Sequence, residues 1–331
     1  MKKAIMILMV CVLATLVLTA CNVADDATMG TRSIAENTVP KSDDGTVQAS
    51  PDNNVQAPPD NTEPDPVSTV MPAQPADDFD ASRVIAVFTR EDGSGTRDAF
   101  VSITGVGGDM YVEAVVENET NQILTKVEEN QYAIGYVSVG SLSPKVKALE
   151  IDGVAPSDAT IMDKSYTLQR PLLVCVNADN ENSALVKDFI SFMLSAEGQD
   201  ISATKWTKID TNAPAYSASG LSGTLKVGGS TSVEPLMQAL SQAYKGHNPG
   251  IDIEISGGGS GTGISEATSG VIDIGMSSRA LRDGEVDELT AINIALDGVA
   301  IIVNPGNPIA DISIEQIKDI FTGAVTRWSD V

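Results

Sequence analysis

From residue 84 onward, apolar positions recur along the chain with two periods. Short unbroken apolar runs read as buried strands, and apolar residues three and four apart read as one face of a helix. Strands are predicted at Val84–Phe88, Tyr132–Ser138, Val146–Ile151 and Pro171–Val176, with helices at Thr120–Glu129 and Ala184–Leu194. Residues 202–222, with Asn212-Ala213-Pro214 and Ser219-Gly220, read as a loop-rich connection. A second set follows. Strands are predicted at Thr224–Val227, Ile251–Ile255 and Val271–Gly275, with a long apolar strand inside Ile292–Val303. Between them, Val233, Leu236, Met237, Leu240 and Tyr244 fall on one face of a helix over Val233–Lys245. Ser313-Ile314-Glu315-Gln316 is a capping box that opens a last helix through Phe321. Strands and helices alternating at this spacing imply layered α/β structure.

The first eighty residues follow neither period. Lys2 and Lys3 precede an apolar run from Ala4 to Val17, followed by Leu18-Thr19-Ala20-Cys21, so residues 1–21 read as a secretory leader. The run is short for a membrane-spanning helix, which takes about 20 apolar residues. Residues 22–81 hold eight prolines and twelve acidic residues against Arg32 and Lys41, the composition of a disordered, extended tether. Two lobes are expected beyond it, at 82–220 and 221–331.

Charge and rare residues narrow the chemistry. The chain of 331 residues carries a formal charge of −24, which argues against nucleic acid, since phosphate backbones are met by clustered Lys and Arg. One histidine, His247, and three cysteines, Cys11, Cys21 and Cys175, leave no Cys/His zinc site. No metal or cofactor is expected. A Ser-His-Asp triad would need His247, which stands in the turn-like Lys245–Gly250. Cys175, inside Leu172–Val176, reads as a buried structural thiol.

The informative pattern lies where strands run into helices. Three times the junction is built of glycine and hydroxyl residues: Arg90-Glu91-Asp92-Gly93-Ser94-Gly95-Thr96, Gly228-Gly229-Ser230-Thr231-Ser232, and Gly257-Gly258-Gly259-Ser260-Gly261-Thr262-Gly263. Glycine lets backbone N–H groups approach a ligand closely, serine and threonine add hydroxyl donors, and a helix N-terminus adds about half a positive charge. Any one junction is an ordinary helix start. All three, with Arg90 beside one, predict an anion site drawn from both lobes. Arg90 suits a tetrahedral oxyanion because its planar fork donates in pairs, although an ion pair with Asp92 would compete. Neither a P-loop nor a Gly-x-Ser-x-Gly elbow with a histidine partner is present, so the loops hold an anion without machinery to transform it.

These loops resemble the phosphate-binding proteins of bacterial phosphate ABC transporters. Gly229–Pro235, Gly259–Gly263, Asp273–Arg279, Ala295–Asn304 and Ile320–Gly323 through Trp328 are similar to that family's first half. Arg90–Thr96, Ala133–Val137 and Ser195–Gln199 are similar to its second half. The order is reversed, so the resemblance implies a circularly permuted, two-lobed periplasmic-binding-protein-like (type II) α/β fold. A reading frame joining halves of two tandem copies would give the same order. Permutation is favoured here because both halves look complete and a leader precedes them.

The resemblance also implies a function and a site. The ligand is inorganic phosphate or a related oxyanion, captured in the cleft and passed to an ABC permease. Arg90, Ser94, Gly95, Thr96, Thr231, Ser232, Ser260 and Ser278 are the implied contacts. Some family members place an aspartate where Ser278 stands, and Asp92 or Asp273 could supply that acceptor instead. Leu18–Cys21 resembles a lipobox, implying a lipid on Cys21 and an extracytoplasmic protein anchored to a bacterial membrane. A surface sensor or adhesin on the same lobes, or a phosphatase-like hydrolase using one of these serines, are the other readings of the same residues.

Overall fold

The computed structural model describes residues 79–331. The leader, the lipidation of Cys21 and all of the tether before Phe79 lie outside the described residues. Strands and helices alternate as the hydrophobic pattern predicts. In chain order they are β1 (Ala86–Arg90), α1 (Gly95–Thr104), β2 (Val115–Glu117), α2 (Thr120–Glu129), β3 (Ala133–Ser138), β4 (Lys147–Ala148), β5 (Glu150–Ile151) and α3 (Asp158–Met162). Next come β6 (Gln169–Asn177), α4 (Ala178–Glu181), α5 (Ala184–Met193), α6 (Ala196–Ser202) and β7 (Gly223–Gly229). The rest are α7 (Glu234–His247), β8 (Ile251–Gly257), α8 (Ser260–Thr268), β9 (Ile274–Ser277), β10 (Leu289–Val303), β11 (Asp311–Ile312) and α9 (Ile314–Thr322).

The predicted strand at 146–151 is two strands, because β4 pairs with β10 while β5 pairs with β11. Ser313 and Gln316 form the predicted capping box, at 2.9 and 3.1 Å. Cys175 is buried as expected, and burial pushes its thiol up to about 12, which keeps it protonated and inert.

One strand joins everything. The sheet runs β2-β1-β3-β10-β6-β9-β7-β8, and β10 is 15 residues long. Its first part, Leu289–Gly298, lies antiparallel to β6, and its last part, Val299–Val303, lies antiparallel to β3. The core divides at the same place. Leu172, Val174, Phe189, Phe192, Leu225, Leu240, Ile274 and Ala295 belong to one buried cluster. Ile85, Phe100, Tyr136, Leu168, Val299, Ile301 and Phe321 belong to another.

The lobes are therefore interleaved rather than sequential. The first lobe takes residues 85–168 and 299–331, the second takes 172–295, and the chain crosses between them twice, along β6 and β10. The boundary expected between 220 and 221 falls inside the second lobe's core, between Phe192 and Leu225. The hydrophobic period marks each strand but not its neighbours, so it does not reveal that β6 leaves the first lobe.

Val84 forms an isolated bridge with Arg327, the Ile85 N–H donates to the Thr326 carbonyl at 2.9 Å, and the Ser329 N–H donates to the Ala81 carbonyl at 2.7 Å. The first and last of the described residues thus lie side by side in the first lobe.

Candidate anion-binding site

Parallel strands present their carboxyl ends on one side, and ligands of α/β sheets bind in the crevice beyond those ends. Four such ends matter here. In the first lobe β1 ends at Arg90 and α1 begins at Gly95, capped by Ser94, whose Oγ accepts the Arg97 N–H at 3.3 Å. In the second lobe β7 ends at Gly229 ahead of α7, β8 ends at Gly257 ahead of α8, and β9 ends at Ser277 beside Ser278. The turn into α8 needs Gly259, whose φ of 88° disfavours any side chain.

The turns from the two lobes meet. Arg90 Nη2 donates to Thr231 Oγ1 at 3.1 Å, and Thr96 Oγ1 lies 2.8 Å from Ser232 Oγ. Ser230 Oγ donates to Ser278 Oγ at 2.9 Å, Ser260 Oγ lies 3.4 Å from Ser278 Oγ, and the Ser278 N–H donates to Ser260 Oγ at 3.1 Å. The Gly261 N–H donates across the lobes to the Gly93 carbonyl at 2.9 Å. A Cβ on Gly95 would stand 2.3 Å from Ser260 Oγ and 2.7 Å from Ser278 Oγ. All eight residues singled out from the sequence are gathered here, with Ser94 set back at the helix cap and the other seven in direct reach of one another or of a neighbour's backbone.

Arg90 is buried and held from several sides. Its Nε and Nη2 grip Glu91 at 2.8 and 2.9 Å, Nε also donates to the Glu117 carbonyl, Nη2 to the Asn118 carbonyl, and Nη1 to Thr120 Oγ1 at 3.2 Å. The competing acid expected from the sequence was Asp92; the partner is Glu91, and the largely exposed Asp92 pairs with Arg97. Nor does Asp273 face this point, because its carboxylate accepts the Lys226 N–H at 2.7 Å. His247 is occupied by Glu197 at 2.8 Å.

Behind the first ring stand residues the sequence reading passed over. Tyr136 reaches from β3 to accept the Arg90 N–H at 3.1 Å, with its hydroxyl 2.7 Å from Thr89 Oγ1. Its ring stacks on Phe100 of α1 at 4.1 Å, so the packing that holds α1 also fixes Arg90. Burial pushes the Tyr136 hydroxyl up to about 12, so it stays protonated. Arg170 of β6 and Asp297 of β10 face each other in register and pair at 2.8 Å, both buried. Asp297 also accepts from Ser138 Oγ at 2.9 Å, while Arg170 Nη1 donates to the Ser278 carbonyl at 3.3 Å. The available signal was a charge inside an apolar strand, a placement that demands a partner.

With Glu91 balancing Arg90, the N-termini of α1, α7 and α8, which follow directly on these turns, add the positive ends of their dipoles to the local field. Each hydroxyl can also turn its proton toward a ligand. At the mouth a cavity of about 280 Å³ is lined by Glu119, Thr120, Thr231, Glu234 and Gly257. Burial, reinforced by the facing Glu119, holds the Glu234 carboxyl above its ordinary value.

Two α/β lobes joined by two crossing strands, with donors from both lobes meeting between them, define the class of two-lobed solute-binding proteins, of type II connectivity. Comparison with known proteins agrees. The family model described as the PBP superfamily domain matches residues 73–197 and 214–331. "Phosphate-binding protein PstS 2" of Streptococcus pneumoniae TIGR4 is 43% identical over 260 residues, spanning 76% of this chain and 89% of the relative. Its namesake in Streptococcus agalactiae 2603 V/R is 40% identical, spanning 75% and 87%. The crystal structure of a phosphate ABC transporter phosphate-binding protein from S. pneumoniae TIGR4 superposes with a TM-score of 0.63 at 42% identity, covering 75% of this chain and all of that one. The chain belongs to the PBP superfamily and, within it, to the family of phosphate-binding proteins.

Proposed function

We propose that this protein captures inorganic phosphate between its lobes and delivers it to an ABC permease outside the cytoplasm. The observation that carries this is the meeting of buried Arg90, Thr96, Ser232, Ser260 and Ser278 with half-buried Thr231 from opposite lobes. Helix N-termini, hydroxyls and one guanidinium form a donor-rich cage of the kind a small tetrahedral anion needs. The names of the relatives support phosphate as that anion. Ser278 supplies a hydroxyl that can donate or accept, so it can meet either a protonated or an ionised oxygen. Nothing here calls for turnover of the ligand, and we read the protein as a binder. Anchoring through a lipid on Cys21 is part of the same proposal.

The permuted order belongs to it too. It is supported by the adjacency of Val84 and Arg327, since permutation is tolerated where ends lie close together at the surface. The streptococcal relatives align over 260 and 258 residues, whereas the Bacillus subtilis phosphate-binding protein aligns over 113, or 33% of this chain. One long alignment and one covering about a third of the chain are what two chain orders within a family would give.

Calorimetric titration with phosphate and sulfate tests the reading: heat with phosphate supports it, and silence with both sinks it. Arg90→Ala leaves Glu91 without its cation and is expected to weaken phosphate binding by at least about 100-fold, from the cost of stripping one partner from a buried charge pair. An unchanged dissociation constant would remove Arg90 from the site.

A further inference from the structure

A second set of contacts joins the lobes beside the anion cage. Asp98 lies in the first turn of α1, one turn beyond the Ser94 cap. Its Oδ2 stands 2.9 Å from Arg279 Nε and 2.5 Å from Arg282 Nη2, both on the second lobe. Among the described residues, these are the ion pairs that span the lobes away from the hinge strands.

Arg279 is set in place by its own lobe. Glu285 accepts from Nη1 and Nη2 at 2.7 and 2.8 Å, the Ala280 carbonyl accepts from Nη1 at 2.8 Å, and Ser277 holds the backbone at 2.8 and 3.3 Å. The guanidinium therefore presents Nε toward the first lobe without help from Asp98. Its side chain is 7% exposed, so the contact is largely withdrawn from water, whereas Arg282 is 63% exposed. Ser278 and Arg279 are neighbours in sequence, and the helix that offers Gly95 and Thr96 to the cage offers Asp98 to the arginines. Cage and ion pairs thus close through the same two segments.

We propose that Asp98, with Arg279 and Arg282, is a latch that sets how long the lobes stay closed, and so governs release of the anion rather than its capture. The proposal rests on phosphate capture between the lobes. The Asp98 carboxylate pairs with Arg279 and Arg282 beside the cage, so Asp98 acts as a positioning residue. Loss of its charge removes attraction present only when the lobes meet. A ligand entering the open form meets the same cage, while the closed form opens more often.

The test measures association and release of radiolabelled inorganic phosphate by the full chain, with lobe separation followed by small-angle scattering. Asp98→Asn is expected to speed release about tenfold and to change association by less than about twofold, since changes at an interface act mainly on dissociation. Arg282→Gln, on an exposed side chain outside both cores, is expected to speed release about two- to threefold, as a screened pair should. Raising salt should hasten release from the wild type more than from Asp98→Asn, because only the wild type has the interlobe pairs to screen. Thermal melting of each variant distinguishes loss of the latch from loss of fold, and Arg282→Gln stands in if Asp98→Asn does not fold. Release from both variants within about twofold of wild type, with the same response to salt in all three, overturns the latch. If wild type binds no phosphate, the capture reading fails, and scattering alone decides the latch: a ligand-free wild type no more closed than Asp98→Asn overturns it.

Discussion

Gly95 shows how finely the cage is drawn. A methyl group there would meet two hydroxyl oxygens from the opposite lobe at 2.3 and 2.7 Å, and those oxygens sit on short, buried side chains. Gly95→Ala leaves each lobe's core intact but blocks their meeting. Phosphate affinity should fall by about 100-fold or more, as small misplacements at a polar site cost, while the melting temperature of the ligand-free protein stays within a few degrees. Calorimetry and thermal melting together check it. Glu234 offers a second measurement. Its carboxyl is held above the ordinary value of 4.5, so the folded state holds its proton more tightly than the unfolded chain does. Stability from this group is full below that ordinary value and is lost as pH rises through the raised one. Glu234→Gln should melt higher than wild type at neutral pH, with the gap closing in acid; a gap independent of pH would exclude this cause. At this scale the sequence was most legible. Glycine and hydroxyl residues at helix starts announce donors by their chemistry, whatever the tertiary fold. What it hid was partner choice: Glu91 and Asp92 are adjacent acids, and the turn after β1 decides which meets Arg90.

Among elements, β6 and β10 carry the greatest consequence. They cross between lobes side by side, and Arg170 and Asp297 face each other where they do. A buried pair is weak evidence for stability, but stripping one partner strands a charge. Asp297→Asn should therefore destabilise the protein by about 3–5 kcal/mol, read from denaturant unfolding. It should also loosen Ser278, whose carbonyl Arg170 holds. A loss below about 1 kcal/mol would mean that water or Ser138 makes up the difference. The apolar run at 292–303 was readable as a strand because its period is local. Its division between two lobes was not, since pairing partners lie over a hundred residues away. The short β2, β11, α3, α4 and α6 escaped for a related reason: elements of two to seven residues take their stability from tertiary neighbours rather than propensity.

For the whole molecule, interleaving means that the second lobe, 172–295, is one stretch of chain set into a first lobe made of two. Cutting at 220 would split the core that holds Phe192 and Leu225, so the stretches on either side of that point are not units of folding. The meeting of Val84 with Arg327 bears on mechanics as well as on chain order. The path from the N-terminal direction enters the lobe that bears Arg90, and the other lobe is carried only by β6 and β10. Any restraint applied ahead of residue 79 would thus grip one jaw and leave the other, with Ser260 and Arg279, as the moving arm. Opening the chain at the opposite junction, before β7, would exchange these parts, so the place where a ring of sequence is cut selects which half of a clamp stays still.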